Sequence, residues 1–411
     1  MPKPPPGPLY TLKGDPSPVH SLHFWEKSRN DKLFAGCQSG QVQLWSLKTN
    51  RSVEGLQAHS GPCINVACFR DSLITQGKGD GHIKLWHSLE GGGWAPSYTI
   101  YTKHSIFCRF SILKTVEDEN AMIVCPDDDH SVAVYSLNTG ERFAHLNFDN
   151  FSKNSKSYGY IMALKAFNDP YTQHPMLLVA HEAGQLSLKD LSNGGKEICC
   201  LNVGEPILCL DFDPNEGTGI YGSPEGAQIK KFSIDTQTGN CQLGSLTAIT
   251  NPGISSIEIR PDFKLVATGG WDGRLRIFSW QRRKKETSDV NLVEEKNECA
   301  HTLSISQDST LNLMAPKSSF QPLEKGALIA TGPAEDRGSI SSEKCISSKG
   351  TNNEHVPAYR KPMKPLAVLN HHTKAIQSVV FSVGPVESWE SSCLLAAGSH
   401  DGGISLWDLY N

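Results

Sequence analysis

Asp127-Asp-Asp129 sets three carboxylates in a row, enough oxygen to attract a hard cation. A calcium loop spaces its ligands at alternate positions around a glycine, and this run does not, so it reads as a solvated hairpin turn. Cys63 with Cys68, and Cys199-Cys200 with Cys209, raise the question of structural zinc. None of the twelve cysteines forms a Cys-x-x-Cys pair, and these spacings suit strand positions better than a tetrahedral site. Covalent chemistry has no better support: there is no Gly-x-Ser-x-Gly elbow, no phosphate-binding Gly-x-x-x-x-Gly-Lys loop and no His-Glu-x-x-His. No enzyme, metal or cofactor site is expected. Recognition remains. Trp271 lies in the turn Gly269-Gly-Trp-Asp-Gly273, directly before Arg274, where a bulky aromatic is either a lid over its own strands or an anchor for a partner.

The elements that hold these residues repeat. Asp80-Gly-His-Ile-Lys-Leu-Trp86, Asp272-Gly-Arg-Leu-Arg-Ile-Phe278 and Asp401-Gly-Gly-Ile-Ser-Leu-Trp407 each run from a tight turn into an alternating strand that ends in a bulky residue. Weaker copies run from Ser39 to Trp45, Asp129 to Tyr135, Ala183 to Lys189 and Gly226 to Phe232. An alternating strand and a second strand rich in small residues precede each turn, as in Cys63–Phe69 and Ser72–Gln76. Such a unit cannot bury its own apolar faces and must stack on neighbours, which predicts an all-β, seven-bladed propeller. The strand ends lie 41 to 54 residues apart, except for the last interval of 129.

Residues 281–364 account for that gap. This stretch carries eleven Ser and only two aromatics, Phe320 and Tyr359, too little apolar surface to offset the entropy of ordering. It is expected to be a disordered insert within blade six, between residues 1–280 and 365–411. Gly326-Ala-Leu-Ile-Ala-Thr-Gly332 imitates a second strand, but no third strand follows it, so an eighth blade is rejected. The chain stops just after the seventh third strand, and an orphan strand, residues 9–13, precedes the first blade. Supplying it to blade seven would close the ring and remove an open edge.

A formal charge of −4 gives no basic field for nucleic acid, and no run of 18 apolar residues suggests a membrane span. The Pro-rich start, Met1-Pro-Lys-Pro-Pro-Pro-Gly-Pro8, lacks the apolar segment of a signal peptide. The expected setting is cytoplasmic, with reduced thiols. Arg282-Arg-Lys-Lys285 is a weak signal for nuclear import, and Ser306-Gln307 a weak kinase-type dipeptide.

The pattern resembles the WD40 repeat family outside the insert. That resemblance implies buried His–Asp pairs that lock blades, His59 with Asp80 and His372 with Asp401, and makes Trp86 and Trp407 packing anchors. Asn251 stands where blade six would carry its histidine, leaving Asp272 without that partner. Thr250-Asn-Pro-Gly-Ile254, Ile259-Arg-Pro-Asp262, Ala267-Thr-Gly-Gly-Trp-Asp272 and Leu394-Leu-Ala-Ala-Gly-Ser399 are similar to the ASTRA-associated protein 1 family. Membership would imply a non-enzymatic adaptor whose partners are co-chaperones that mature phosphatidylinositol 3-kinase-related kinases, or those kinases. A G-protein γ subunit is disfavoured, because only a short Pro-rich stretch precedes the first blade, with no helix for a coiled coil. The alternative is a substrate receptor of a cullin-type ubiquitin ligase. Trp271-Asp-Gly-Arg274 matches the Trp-Asp-x-Arg letters of such receptors, but in a turn instead of a strand end.

Overall fold

Alternation of aliphatic and polar residues gives each repeat four short strands, which pair in chain order as a twisted antiparallel sheet. The computed structural model describes residues 7–14, 17–28, 31–114, 121–148, 158–280 and 362–409, all within one compact unit. These residues form seven four-stranded sheets, the blades of a β-propeller. Blades one to five span 19–57, 63–101, 111–147, 161–202 and 209–248. Blade six is 254–279 completed by Pro365–Asn370, and blade seven is 376–408 completed by Tyr10–Lys13. Residues 281–361 of the expected insert, with Arg282–Lys285, Ser306-Gln307 and the segment 326–332, lie outside the described residues. Pairing resumes just before Pro365: Ser279 N–H donates to the Lys364 carbonyl at 2.9 Å, and Met363 is buried against blade six.

Second strands are covered on both faces by neighbouring blades. Every residue of Leu265–Gly270 and of Leu394–Ser399 is buried. Their small side chains let the next inner strand approach closely. A methyl group on Gly269 would come 2.6 Å from Ile376 Cγ2 of blade seven, and one on Gly398 would come 2.6 Å from Val19 Cγ1 of blade one.

The seam between blades seven and one is closed by chain from both ends. Tyr10–Lys13 runs antiparallel to Gly403–Asp408, with Tyr10 opposite Leu406 and Lys13 opposite Gly403. Leu12 is fully buried in a cluster shared by blades seven and one, with Val19, Leu33, Trp45, Leu394 and Leu406. On the far side of the seam, Trp389 donates its indole N–H to the Leu47 carbonyl at 3.1 Å, and Asp31 accepts from Ser388 N–H at 3.0 Å. Truncating Leu12 therefore opens the seam: Leu12→Ala should cost about 2–5 kcal/mol. Urea unfolding followed by tryptophan fluorescence checks this, and a midpoint within error of the parent would contradict the closure.

Candidate functional site

Two blades carry a continuous polar chain from turn to core. In blade two, His59 Nδ1 lies 2.9 Å from Asp80, and His59 Nε2 lies 2.8 Å from Thr75 Oγ1. Trp86 Nε1 donates to that hydroxyl at 3.0 Å. Blade seven repeats the arrangement: His372 Nδ1 is 3.1 Å from Asp401, Nε2 is 2.8 Å from Ser405 Oγ, and Trp407 Nε1 donates to the same oxygen at 2.8 Å. One proton order satisfies each chain, with indole N–H to hydroxyl, hydroxyl to Nε2, and Nδ1–H to carboxylate. Burial pulls both imidazoles below their ordinary pKa against the opposing pull of the aspartates, so the rings are neutral at neutral pH. Both imidazoles are buried within their blades, so these chains act as locks between turn and strand.

Blade six solves the same problem differently. Asp272 lacks a histidine, as Asn251 implies, yet it is paired. Arg276, almost fully buried on the third strand, places Nη2 2.5 Å and Nη1 3.1 Å from the two carboxylate oxygens. Arg276 occupies the fourth position after the turn aspartate, the same position as Ser405 after Asp401, and sequence reasoning overlooked it. Blade three holds another overlooked residue, the buried His104, whose Nδ1 is 3.3 Å from Asp129. The carboxylates of 127–129 are engaged within the protein: Asp129 accepts from Ser105 N–H at 2.9 Å, Asp128 accepts from His130 N–H at 2.8 Å, and Asp127 lies 3.2 Å from His145. In blade four, Lys189 stands at the end of its strand in place of an aromatic, and its ammonium is 2.7 Å from Glu197.

The feature that faces outward is the mouth of the central channel, a cavity of about 690 Å³ to which all seven blades contribute. Its shape comes from a shared irregularity. In five inner strands the register skips one residue near the start, between Val19 and Ser21, Cys63 and Asn65, Ile161 and Ala163, Ile254 and Ser256, and Ile376 and Ser378. The bulged residues, His20, Ile64, Met162, Ser255 and Gln377, all line the cavity. A bulge turns its side chain out of the alternating pattern, and here it turns toward the axis.

Trp271 sits on this rim. One face of its indole covers the backbone of the preceding loop, where a methyl on Gly253 would come 2.5 Å from Cδ2. The side chain nonetheless remains 47% exposed and lines the mouth, so it is both a cover for blade six and an open aromatic surface. Arg274, its side chain 38% exposed, is tied to neighbouring turn residues, donating to Thr250 Oγ1 at 2.8 Å and lying 3.8 Å from Asp272. Phe107, half exposed, stands across the mouth with the Lys78 ammonium 3.2 Å above its ring centre.

The family comparison agrees with this geometry. The WD domain, G-beta repeat model matches residues 240–279 and 363–408. Guanine nucleotide-binding protein subunit beta-like protein 1 of Mus musculus is 33% identical over 289 residues, covering 68% of this chain and 86% of the mouse protein. The chain belongs to this WD40 family. ASTRA-associated protein 1 of Penicillium rubens is 23% identical over 473 aligned positions, 98% of this chain and 97% of the relative. The protein of that name from Aspergillus flavus is 21% identical over 486 positions, covering 99% and 98%. Like its relatives, the family member described here is a non-enzymatic WD40 scaffold.

Farther from the mouth, inner strands of three consecutive blades bring together Lys165, Asp211 and Glu258. Lys165 Nζ is 2.6 Å from Asp211 Oδ1, and Asp211 Oδ2 accepts from Ile259 N–H at 2.7 Å. Burial, and then the charge of Asp211, push the Glu258 carboxyl up to about 8.

Two predictions follow from these charges. Asp272→Asn leaves the Arg276 guanidinium buried without its counter-charge and should cost about 3–5 kcal/mol. Pairing it with Arg276→Met should restore most of the loss, whereas Arg274→Ala should cost under about 1 kcal/mol; urea midpoints of the four proteins check all three values. For Glu258, the native state holds a proton that the unfolded chain releases near 4.5, so stability falls as pH rises from there to about 8. Glu258→Gln removes that slope. Its thermal midpoint should gain on the parent's across the same window, with a stability difference reaching roughly 1–2 kcal/mol once solvent screening of this half-buried group is allowed for.

Proposed function

We propose that this scaffold is an adaptor in the chaperone-linked maturation of phosphatidylinositol 3-kinase-related kinases, and that it engages its partner through the mouth of the channel. The full-length likeness to proteins named ASTRA-associated protein 1 carries the biological setting. The exposed Trp271 and Phe107 on a rim held by seven blades support the place of contact, since half-open aromatics on a rigid frame are what protein interfaces use as anchors. The work is expected in the cytoplasm, with Arg282–Lys285 as a candidate route to the nucleus.

Affinity purification of the tagged full-length chain from cells, followed by mass spectrometry, tests this reading. Co-chaperones of kinase maturation, or the large kinases, should be recovered in stoichiometric amounts. Trp271→Ala should lower that recovery about tenfold or more while the thermal midpoint stays near the parent's. Recovery of cullin adaptor subunits in their place would move the protein to the receptor reading.

A further inference from the structure

The two sides of the mouth differ in chemistry. Blades four to six contribute an apolar wall made by Met162, Leu164, Leu208, Leu210, Ile257 and Trp271. The opposite side carries Lys78 and Arg109, with His20 and His400 beside them. Burial lowers both imidazoles, His20 to about 4, so the positive charge at neutral pH belongs to Lys78 and Arg109. Among the described residues, no aspartate or glutamate lines the cavity.

Neither cation has a counter-charge among the described residues. Arg109 reaches across the channel from blade three, where one guanidinium nitrogen, Nη2, donates to the carbonyls of His20 at 2.8 Å and Gln377 at 2.9 Å. Its Nη1 and Nε make no hydrogen bond among the described residues, and no carboxylate there lies within ion-pair distance of Arg109 or Lys78. Carbonyl dipoles and a ring face do not neutralise a charge, and burial accordingly draws both groups below their ordinary pKa. A partly desolvated cation without an anion is less favourable in the free protein, Arg109 more so than the more exposed Lys78, and an arriving carboxylate relieves that cost.

We infer that the mouth binds an acidic segment of a partner protein, in which one or more Asp or Glu carboxylates meet Arg109 and Lys78 while an adjacent large apolar side chain lies against Trp271, Met162 and Leu208. This rests on the proposed docking at the mouth and specifies the chemistry of what docks. The apolar wall separates such a segment from nucleic acid, whose uniform phosphate charge would leave that wall uncovered, and the overall charge of −4 disfavours a polyanion. Charge complementarity also predicts affinity that falls with salt.

The test uses purified full-length protein and an immobilised library of twelve-residue peptides in four compositions: acidic with Leu or Phe, acidic alone, Leu or Phe alone, and basic with Leu or Phe. The first class should be retained above the others. The Kd of a selected peptide in fluorescence polarisation should rise about tenfold with Lys78→Glu and about thirtyfold with Trp271→Ala, in variants with parental melting. Arg109→Lys keeps the charge and should bind more tightly than Arg109→Met. Retention of neutral or basic peptides, no retained class, indifference to Lys78→Glu, or equal competition by single-stranded RNA would overturn the inference. Acidic-apolar binding without kinase-maturation proteins in the cell purification would leave the mouth chemistry standing and remove the proposed pathway. Recovery of those proteins in amounts unaffected by Lys78→Glu would do the reverse.

Discussion

A four-stranded blade has two apolar faces and covers neither of them. Its second strand is buried on both sides only because the next blade lies against it, as the wholly buried Leu265–Gly270 and Leu394–Ser399 show. A row of such units has two uncovered ends, and only a ring has none. Closure is therefore the condition on which the remaining structure rests. Tyr10–Lys13 meets it by completing the blade formed by the far end of the chain, which also removes the unpaired edge of Gly403–Asp408. Because that strand is separated from its partner by nearly the whole sequence, the contact that finishes the ring is also among those with the longest loop to close.

Stacking fixes blade against blade, but each turn must also be held to its own sheet. The blades that do this with charge use one carboxylate at the turn and a different partner within the blade. Blades two and seven take neutral histidine, hydroxyl and indole in series, and blade six takes the guanidinium of Arg276. Both arrangements satisfy the carboxylate in a buried setting, where an unpaired charge would be costly. Blade five relies more on shape. Phe212 stacks on Phe232 with ring centres 5.9 Å apart and meets Phe167 of blade four at 4.9 Å, an apolar seam flanked by the Lys165–Asp211 ion pair.

The ring was legible in the sequence because its signals are local. A turn residue, an alternating strand and a bulky end within seven positions can be read without knowing any distant contact. Blade seven's missing strand could be read for the same reason, since a lone strand at the start and an incomplete repeat at the end match each other. Arg276 was not legible: the expected partner of Asp272 was a histidine before the blade, and an arginine inside a strand looks like a solvent-facing alternate. His104 was hidden by the long approach to Ser111, which puts it farther from its strand than His59 is from Cys63. The mouth was least legible. Bulges do not disturb hydrophobic alternation enough to be seen, and the lining residues run from His20 to His400, gathered only by closure of the ring.

That dependence bears on why the channel mouth, and not a blade edge, is the surface suited to recognition. Phe143 on the outer strand of blade three and Tyr171 in a turn of blade four are exposed, but each belongs to one blade. At the mouth, a bulged residue from one blade meets turns from the next, so a partner there touches a surface whose geometry is set by the whole ring. Arg109 extends this further by bonding backbone of blades one and seven from blade three. A cation in that position serves two ends at once: its two carbonyl contacts tie the inner strands across the axis, and the same side chain lines the cavity. Preorganisation of this kind lowers the cost of ordering the site when a partner arrives, because the frame has already been fixed by the requirement that seven open-faced sheets cover one another.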